Sequence, residues 1–176
     1  MGVAMIWTRD ALLTFKEDDL TRDVLGPLFR AMGYRDVRFH GGCILEQGKD
    51  MTMWRDDSIR GRVNSAVVKA VPITGQASTT SVLHQLEQVF DVPFRDTATG
   101  ADQVVHECFV ITPREVEKEG AHTLHNLLRS KSLGKYVTIL DGERLWQYVQ
   151  QYLGPHVTLG PIMENYRQLI PTPDLI

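Results

Sequence analysis

The stretch Ala66-Val67-Val68-Lys69-Ala70-Val71 consists of five apolar residues interrupted by one lysine. A short, nearly continuous apolar run is typical of a strand that is buried on both faces of a sheet. A lysine within it is costly to bury unless its amine reaches a partner or a cleft. We therefore predict a strand over residues 66–71, with Lys69 directed into a cleft or, if the strand lies at an edge of the sheet, into water.

The segments before this strand predict one helix and two further strands. Apolar residues recur every three or four positions over residues 18–32, which predicts a helix that is kinked at Pro27 and ended by Gly33. A strand at residues 37–40, a Gly41-Gly42 turn and a strand over residues 44–54 that bends at Gly48 should form a meander with the central strand.

The segments after the central strand alternate between helix and strand. We predict helices from Thr79 or Thr80 to about residue 90, from Thr112-Pro113 to about residue 130, and from Asp141-Gly142 to about residue 153. Strands are predicted at residues 104–111 and 137–140. This order predicts an α/β domain over residues 1–153, with a mixed central sheet and helices on both faces, followed by a tail or linker at residues 154–176.

Composition narrows the class of protein. With 176 residues and 43% apolar content, the chain can bury one core. It has neither an apolar run long enough to cross a membrane nor an evident secretory signal, and its two cysteines form no CxxC pair, so we expect a cytoplasmic protein without structural zinc. The net charge of −3 argues against broad coating of phosphates, so any affinity for DNA would draw on a partner domain or a homodimer.

Two acidic residues and the strand lysine form the candidate site. Glu46 and Asp50 flank the bend at Gly48, and Lys69 lies on the next strand. Hydrolysis of a phosphodiester needs carboxylates that hold a divalent cation, and a lysine can position the attacking water or neutralise charge. Taken singly, the acids are equally typical of an ordinary turn. The histidines form no HExxH motif, and no phosphate-binding GxxxxGK[ST] loop is present.

Several motifs together resemble the PD-(D/E)xK nucleases, and specifically their Mrr-like restriction-endonuclease branch. The matching pieces run from Leu25 through the Gly33-Tyr34 pair, Gly41-Gly42, Glu46-x-Gly48-Lys49-Asp50 and Val67-Val68-Lys69, with looser similarity at residues 73–75, 109–112 and 140–145. The resemblance covers roughly residues 17 to 152. It implies a restriction-endonuclease-like fold and a Mg²⁺- or Mn²⁺-dependent DNA endonuclease in restriction or phage defence, often fused to or associated with an ATPase or recognition domain.

The resemblance also implies a role for each site residue. Asp50 would be the central metal ligand, Lys69 the catalytic lysine, and Glu46 a second ligand or a holder of metal-bound water. Gln85 would help to position the substrate, although it is equally an ordinary surface amide.

One position departs from the family pattern. Where the family has Glu or Gln two residues before the lysine, this chain has Val67, which cannot bind a metal. Either Glu46 compensates, or another side chain takes the place of the missing ligand, or the domain binds nucleic acid or a protein partner without cutting. An unrelated α/β interaction domain, in which the acids are incidental, is the remaining alternative.

Overall fold

The structure is a computed structural model that describes residues 5–6, 8–40, 48–56, 61–96, 99–154 and 156–157. The predicted Gly41-Gly42 turn, the strand at residues 44–45 and Glu46 lie outside these residues. In chain order, the N-terminal elements are β1 (Met5–Ile6), α1 (Arg9–Leu12), α2 (Glu17–Asp19), a π-helical segment (Leu20–Leu25) and α3 (Gly26–Ala31).

The predicted first helix is a continuous helical stretch whose middle is π-helical. The N–H of Gly26 donates to the Thr21 carbonyl, five residues back, so the wider turn precedes Pro27, which has no N–H to donate. The irregularity predicted at Pro27 thus takes the form of a π-helical segment. Gly33 ends the stretch with φ +89°, and the N–H of Tyr34 donates to the Phe29 carbonyl at 2.9 Å, which confirms the predicted glycine cap.

The remaining elements build a mixed sheet with helices. They are β2 (Arg35–Phe39), β3 (Met51–Asp56), β4 (Gly61–Val68), α4 (Gly75–Asp91), β5 (Phe94–Arg95), β6 (Asp102–Gln103), β7 (Glu107–Ile111), α5 (Lys118–Ser130), β8 (Val137–Leu140), α6 (Gly142–Tyr152) and β9 (His156–Val157). The main sheet has the order β2-β3-β4-β7-β8, antiparallel between β2, β3 and β4 and parallel from β4 through β8. This confirms the predicted α/β class and the mixed central sheet.

Two apolar cores lie on opposite faces of the sheet, because side chains alternate along each strand. On β4, Ala66 and Val68 belong to the first core, with the N-terminal helices and α6, whereas Val63 and Val67 belong to the second core, with α4 and α5. Residues 63–68 are all buried. The central strand is therefore covered on both faces, as its sequence predicts.

Two short pairings lie outside the main sheet. Strands β5 and β6 form a small hairpin after α4, and β9 pairs with β1, so residues 156–157 of the predicted tail contact the N-terminus. No helix in the described ranges is both long and apolar enough to span a membrane.

Several element boundaries differ from the prediction. Strand β7 begins at Glu107 and not at residue 104. The central strand spans Gly61–Val68, so Lys69 lies just after the strand, where its N–H donates to the Ile111 carbonyl at 2.9 Å. Helix α4 begins at Gly75, which places Thr79 inside the helix, buried and bonded to the Gly75 carbonyl. Helix α5 begins five residues after Pro113.

Long-range pairing explains the late start of α5. Ile73 bridges to Val116, and the N–H of Glu117 donates to the Ile73 carbonyl, so residues 116–117 pair with the loop that follows β4 and cannot belong to the helix. Thr112 instead accepts from the N–H of Arg114 in a turn. The beginning of α6 is as predicted, because Asp141 accepts from the N–H of Arg144 at 2.9 Å.

Candidate functional site

Asp50 precedes β3 and lies beside the carboxyl end of β4, the strand that Lys69 follows. Met51 pairs with Ala66, so the same register, continued by one residue, places Asp50 opposite Val67. The N–H of Asp50 donates to the Ala66 carbonyl at 3.1 Å, and a carboxylate oxygen of Asp50 accepts from the N–H of Val68 at 2.5 Å. A carboxylate that accepts a backbone N–H is held in one orientation. The predicted ligand is therefore fixed at the carboxyl end of the central strand.

Lys69 is the first residue after β4. It is partly exposed and forms no ion pair with another described residue. Val68, the residue before Lys69, thus anchors Asp50, but the Lys69 side chain is not among those that line the cleft around Asp50. Glu46, the other predicted ligand, lies outside the described residues.

Glu17 is a site residue that the sequence did not indicate. It opens α2, and its carboxylate accepts from the N–H of Ala70 at 3.1 Å. Glu17 and Asp50 line one cleft of about 180 Å³, together with Asp18, Thr21, Arg22 and Phe39. An acid in the first turn of a helix is favoured by the helix dipole in any protein, so its identity alone gives no signal of a site.

Gln85, the predicted positioning residue, is not among the residues that line this cleft. It lies on α4, and its side-chain oxygen is buried without a hydrogen-bond partner among the described residues. The helix packs closely on Gly48, where an added Cβ would stand 2.8 Å from the Gln85 carbonyl oxygen. Gln85 therefore borders the bend that leads to Asp50.

Lys49 anchors the other side of the bend. Its side chain is buried, with 1% of the residue exposed, and its Nζ donates to the Val92 carbonyl at 2.9 Å, just beyond the last turn of α4. Burial lowers the pKa of this amine, and the neighbouring Cys108 partly opposes that shift. Lys49 ties the segment that carries Asp50 to α4. The sequence showed Lys49 only as one of several basic residues.

Val67 lies opposite Asp50 in register, but its side chain is part of the second core. It is 0% exposed and packs in the cluster that contains Val82 and Leu86 of α4. The ligand that the family pattern places here is absent, and the position is filled by apolar contacts. A replacement for it must come from another element.

The buried thiol of Cys108 makes stability depend on alkaline pH. Burial raises the pKa of Cys108 above its ordinary value of 9.0, with a further contribution from the nearby Asp50. Above pH 9 the unfolded chain releases the thiol proton and the folded chain keeps it, so stability that is complete below pH 9 is lost as pH rises. We expect this thiol to lower the free energy of unfolding by about 1 kcal/mol between pH 8 and pH 10.

Urea titrations of the wild type and Cys108→Ala at both pH values measure this effect. The variant has a smaller side chain and lower stability at pH 8, but the difference between the two proteins should shrink by about 1 kcal/mol at pH 10. Other titrating groups cancel in the comparison. A difference that stays constant across this range would contradict the assignment to Cys108.

The described histidines do not assemble a metal site. His122 contacts Asn126 on the same helix, and His40 contacts the Thr52 hydroxyl at 2.7 Å. Across residues 8–40, 48–56, 61–96 and 99–154, no group of three or more His, Cys, Asp or Glu side chains is arranged to hold a metal ion. Any cation at the cleft would therefore need oxygens from outside this set.

Comparisons with protein-family models, with curated proteins and with solved structures give no match to this chain.

Proposed function

We propose that this chain is a restriction-endonuclease-like domain that hydrolyses DNA phosphodiester bonds with Mg²⁺ or Mn²⁺ at the acidic cleft. The observation that carries the proposal is a pair of hydrogen bonds at the end of β4, each from a backbone N–H to a carboxylate. The N–H of Val68 binds Asp50, the N–H of Ala70 binds Glu17, and Lys69 lies between them. Two carboxylates are thus held at the end of β4 by the N–H groups on either side of Lys69, and two carboxylates with a nearby lysine suit metal-assisted hydrolysis.

The donor set of the cleft fits Mg²⁺ when the substrate completes the coordination. This ion commonly takes one or two carboxylates from the protein and fills its remaining positions with water and substrate phosphate. Asp50 and Glu17 would supply the two carboxylates. Glu46 and Asp18 are proposed as additional acidic ligands. A bound cation would lower the pKa of a coordinated water and offset the negative charge of the phosphate.

The side chains of the cleft have separate tasks in this proposal. Asp50 and Glu17 keep their carboxylates in place through the backbone N–H bonds, so little reorganisation is needed on binding. Lys69 directs a positive charge towards the phosphate and donates hydrogen bonds to it or to the attacking water. Arg22 also borders the cleft but is paired with Asp19 and Asp23, so its charge is largely satisfied within the protein.

Glu17 takes the place of the ligand that is missing at Val67. It reaches the end of β4 from α2, on the first-core side, whereas a side chain at position 67 would enter the second core. The proposed setting is a cytoplasmic module of restriction or phage defence that acts with an ATPase or recognition domain, or as a homodimer.

Burial of Val67 also favours a second candidate function. If Glu17 does not act as a ligand, the domain keeps its fold and binds nucleic acid or a protein partner without cutting. The two candidates differ in whether the acidic cleft binds a divalent cation and supports cleavage.

Nicking of supercoiled plasmid DNA tests the proposed function. We expect the wild type to nick with Mg²⁺ or Mn²⁺ and not with EDTA, and Lys69→Met to be slower by about 100-fold because it lacks the charge that stabilises the transition state. Lys118→Met, which changes an exposed lysine at the start of α5, is the matched control and should nick like the wild type. Failure of the wild type to nick with either metal, or equal rates for the wild type and Lys69→Met, would refute the proposal.

A further inference from the structure

A second cavity lies on the second-core side of the sheet, between strands β2–β4 and the β5–β6 hairpin. It has a volume of about 160 Å³. Pockets for drug-sized ligands occupy roughly 300–1,000 Å³, so this cavity admits one small ring system. Its apolar lining comes from Met53, Trp54 and Val63 of the sheet and Phe94 of the hairpin.

The aromatic wall of this cavity is fixed in place. Trp54 and Phe94 are both partly exposed, so each ring can contact a ligand. Gly61 pairs with Asp56 across the β3–β4 pair, two residues along from the Trp54–Val63 pair, and an added Cβ at Gly61 would overlap the indole ring of Trp54. The indole thus packs directly on the backbone of Gly61, with no room for a side chain between them. Flat aromatic surfaces held in this way stack on flat rings of a ligand.

An ion pair between Arg38 and Asp96 holds the hairpin to the sheet. The carboxylate of Asp36 stays available for a ligand. Arg38 donates to a carboxylate oxygen of Asp96 at 2.5 Å, and the Thr99 hydroxyl donates to the other oxygen at 2.8 Å. Asp36 also lines the cavity, is exposed, and forms no ion pair with another described residue. It lies at a bulge of β2 with φ +48°, a conformation that Asp and Asn adopt more readily than most residues.

We propose that this cavity binds a single amino-substituted pyrimidine ring, as in an unpaired cytosine base. The ring would stack against Trp54 and Phe94, and its exocyclic amino group would donate to the Asp36 carboxylate, a pairing that carboxylates make with cytosine N4. Uracil and thymine carry a carbonyl at that position, which a carboxylate repels. Gln103, also in the lining, offers both a donor and an acceptor to the rest of the ring edge.

The choice of a nucleobase among amino-substituted rings rests on the proposed nuclease function. Arg95 is exposed between Phe94 and Asp96, whose side chains line the cavity, and strand alternation directs Arg95 away from the cavity. It would therefore not contact the bound ring, and only a phosphate that extends outside the cavity could meet it.

Titration with cytidine and uridine tests the proposal, because these probes share the ribose and the pyrimidine ring and differ in the group at C4 and in the proton on N3. The indole N–H signal of Trp54 in ¹H–¹⁵N spectra, assigned with Trp54→Phe, reports binding to the wild type in EDTA. We expect cytidine to bind about tenfold more tightly than uridine. Asp36→Asn should abolish this preference, and Phe94→Leu should weaken both nucleosides about tenfold.

Arg95→Ala is the control and should keep the preference for cytidine, since the free nucleosides carry no phosphate. Equal affinities of the wild type for the two nucleosides, or no change of the Trp54 signal with either, would overturn the proposal. EDTA removes divalent cations, so nucleoside binding is measured independently of metal-dependent cleavage. Nucleoside binding without plasmid nicking would thus refute only the nuclease, and nicking without nucleoside binding would refute only the cavity assignment.

Discussion

Asp50→Asn is expected to reduce Mg²⁺-dependent nicking of plasmid DNA by at least about 100-fold. The substitution keeps the shape of the side chain and an oxygen that can accept from the N–H of Val68, but it removes the charge that would hold the cation. Because the backbone contact is largely retained, the free energy of unfolding should fall by no more than about 1–2 kcal/mol. Activity would therefore be lost from a protein that is still folded.

Calorimetric titration with Mn²⁺ separates the loss of a ligand from a general effect on the enzyme. We expect heat of binding for the wild type and none for Asp50→Asn, with Glu17→Gln weakened in the same assay. Asp102→Asn is the matched control, because Asp102 is exposed on the β5–β6 hairpin and should neither bind metal nor affect nicking. If Asp50→Asn binds Mn²⁺ as the wild type does, the acidic cleft is not the metal site.

Val67→Glu is expected to lower the free energy of unfolding at pH 8 by about 3–5 kcal/mol. The side chain at this position is 0% exposed among the apolar residues of the second core, so a carboxylate would be buried there. Burial raises the pKa of such a carboxyl group, and its destabilisation should therefore be smaller at pH 5, where the neutral form predominates.

Val71→Glu is the matched control, because Val71 is 58% exposed and the same substitution there should change stability by less than about 0.5 kcal/mol. Urea titration of both variants measures the difference. A stable Val67→Glu variant that binds Mn²⁺ more tightly than the wild type would contradict this expectation. Position 67 would then reach the acidic cleft, and Glu17 would not be the replacement ligand.

The site was only partly accessible from the sequence. Asp50 and Lys69 were indicated because they border a short bend and a strand that sheet geometry brings together, and the Asp50 carboxylate does bind the N–H of Val68, one residue before Lys69. Glu17 was not indicated, since it meets Ala70 across 53 residues of chain. A hydrogen bond over that separation has no periodic pattern and depends on how α2 packs on the sheet.

The burial of the charged residue Lys49 was likewise not evident from the sequence. In the sequence it stands beside Asp50 and near other basic residues, which is typical of a solvated surface. In the fold it is buried against the end of α4. The chain around Gly48, which has φ +78°, packs directly on the helix, and this packing determines the burial.

The sequence by itself determined the α/β class, the central strand with both faces covered, and the caps at Gly33 and Asp141. These features arise from interactions within a few residues, so periodicity and capping chemistry predict them. Only the tertiary structure decided the start of α5 at Lys118, the core that receives Val67, and the cleft shared by Glu17 and Asp50. Each of these depends on contacts between segments that are distant in the chain, whose geometry is set when the helices pack on the sheet.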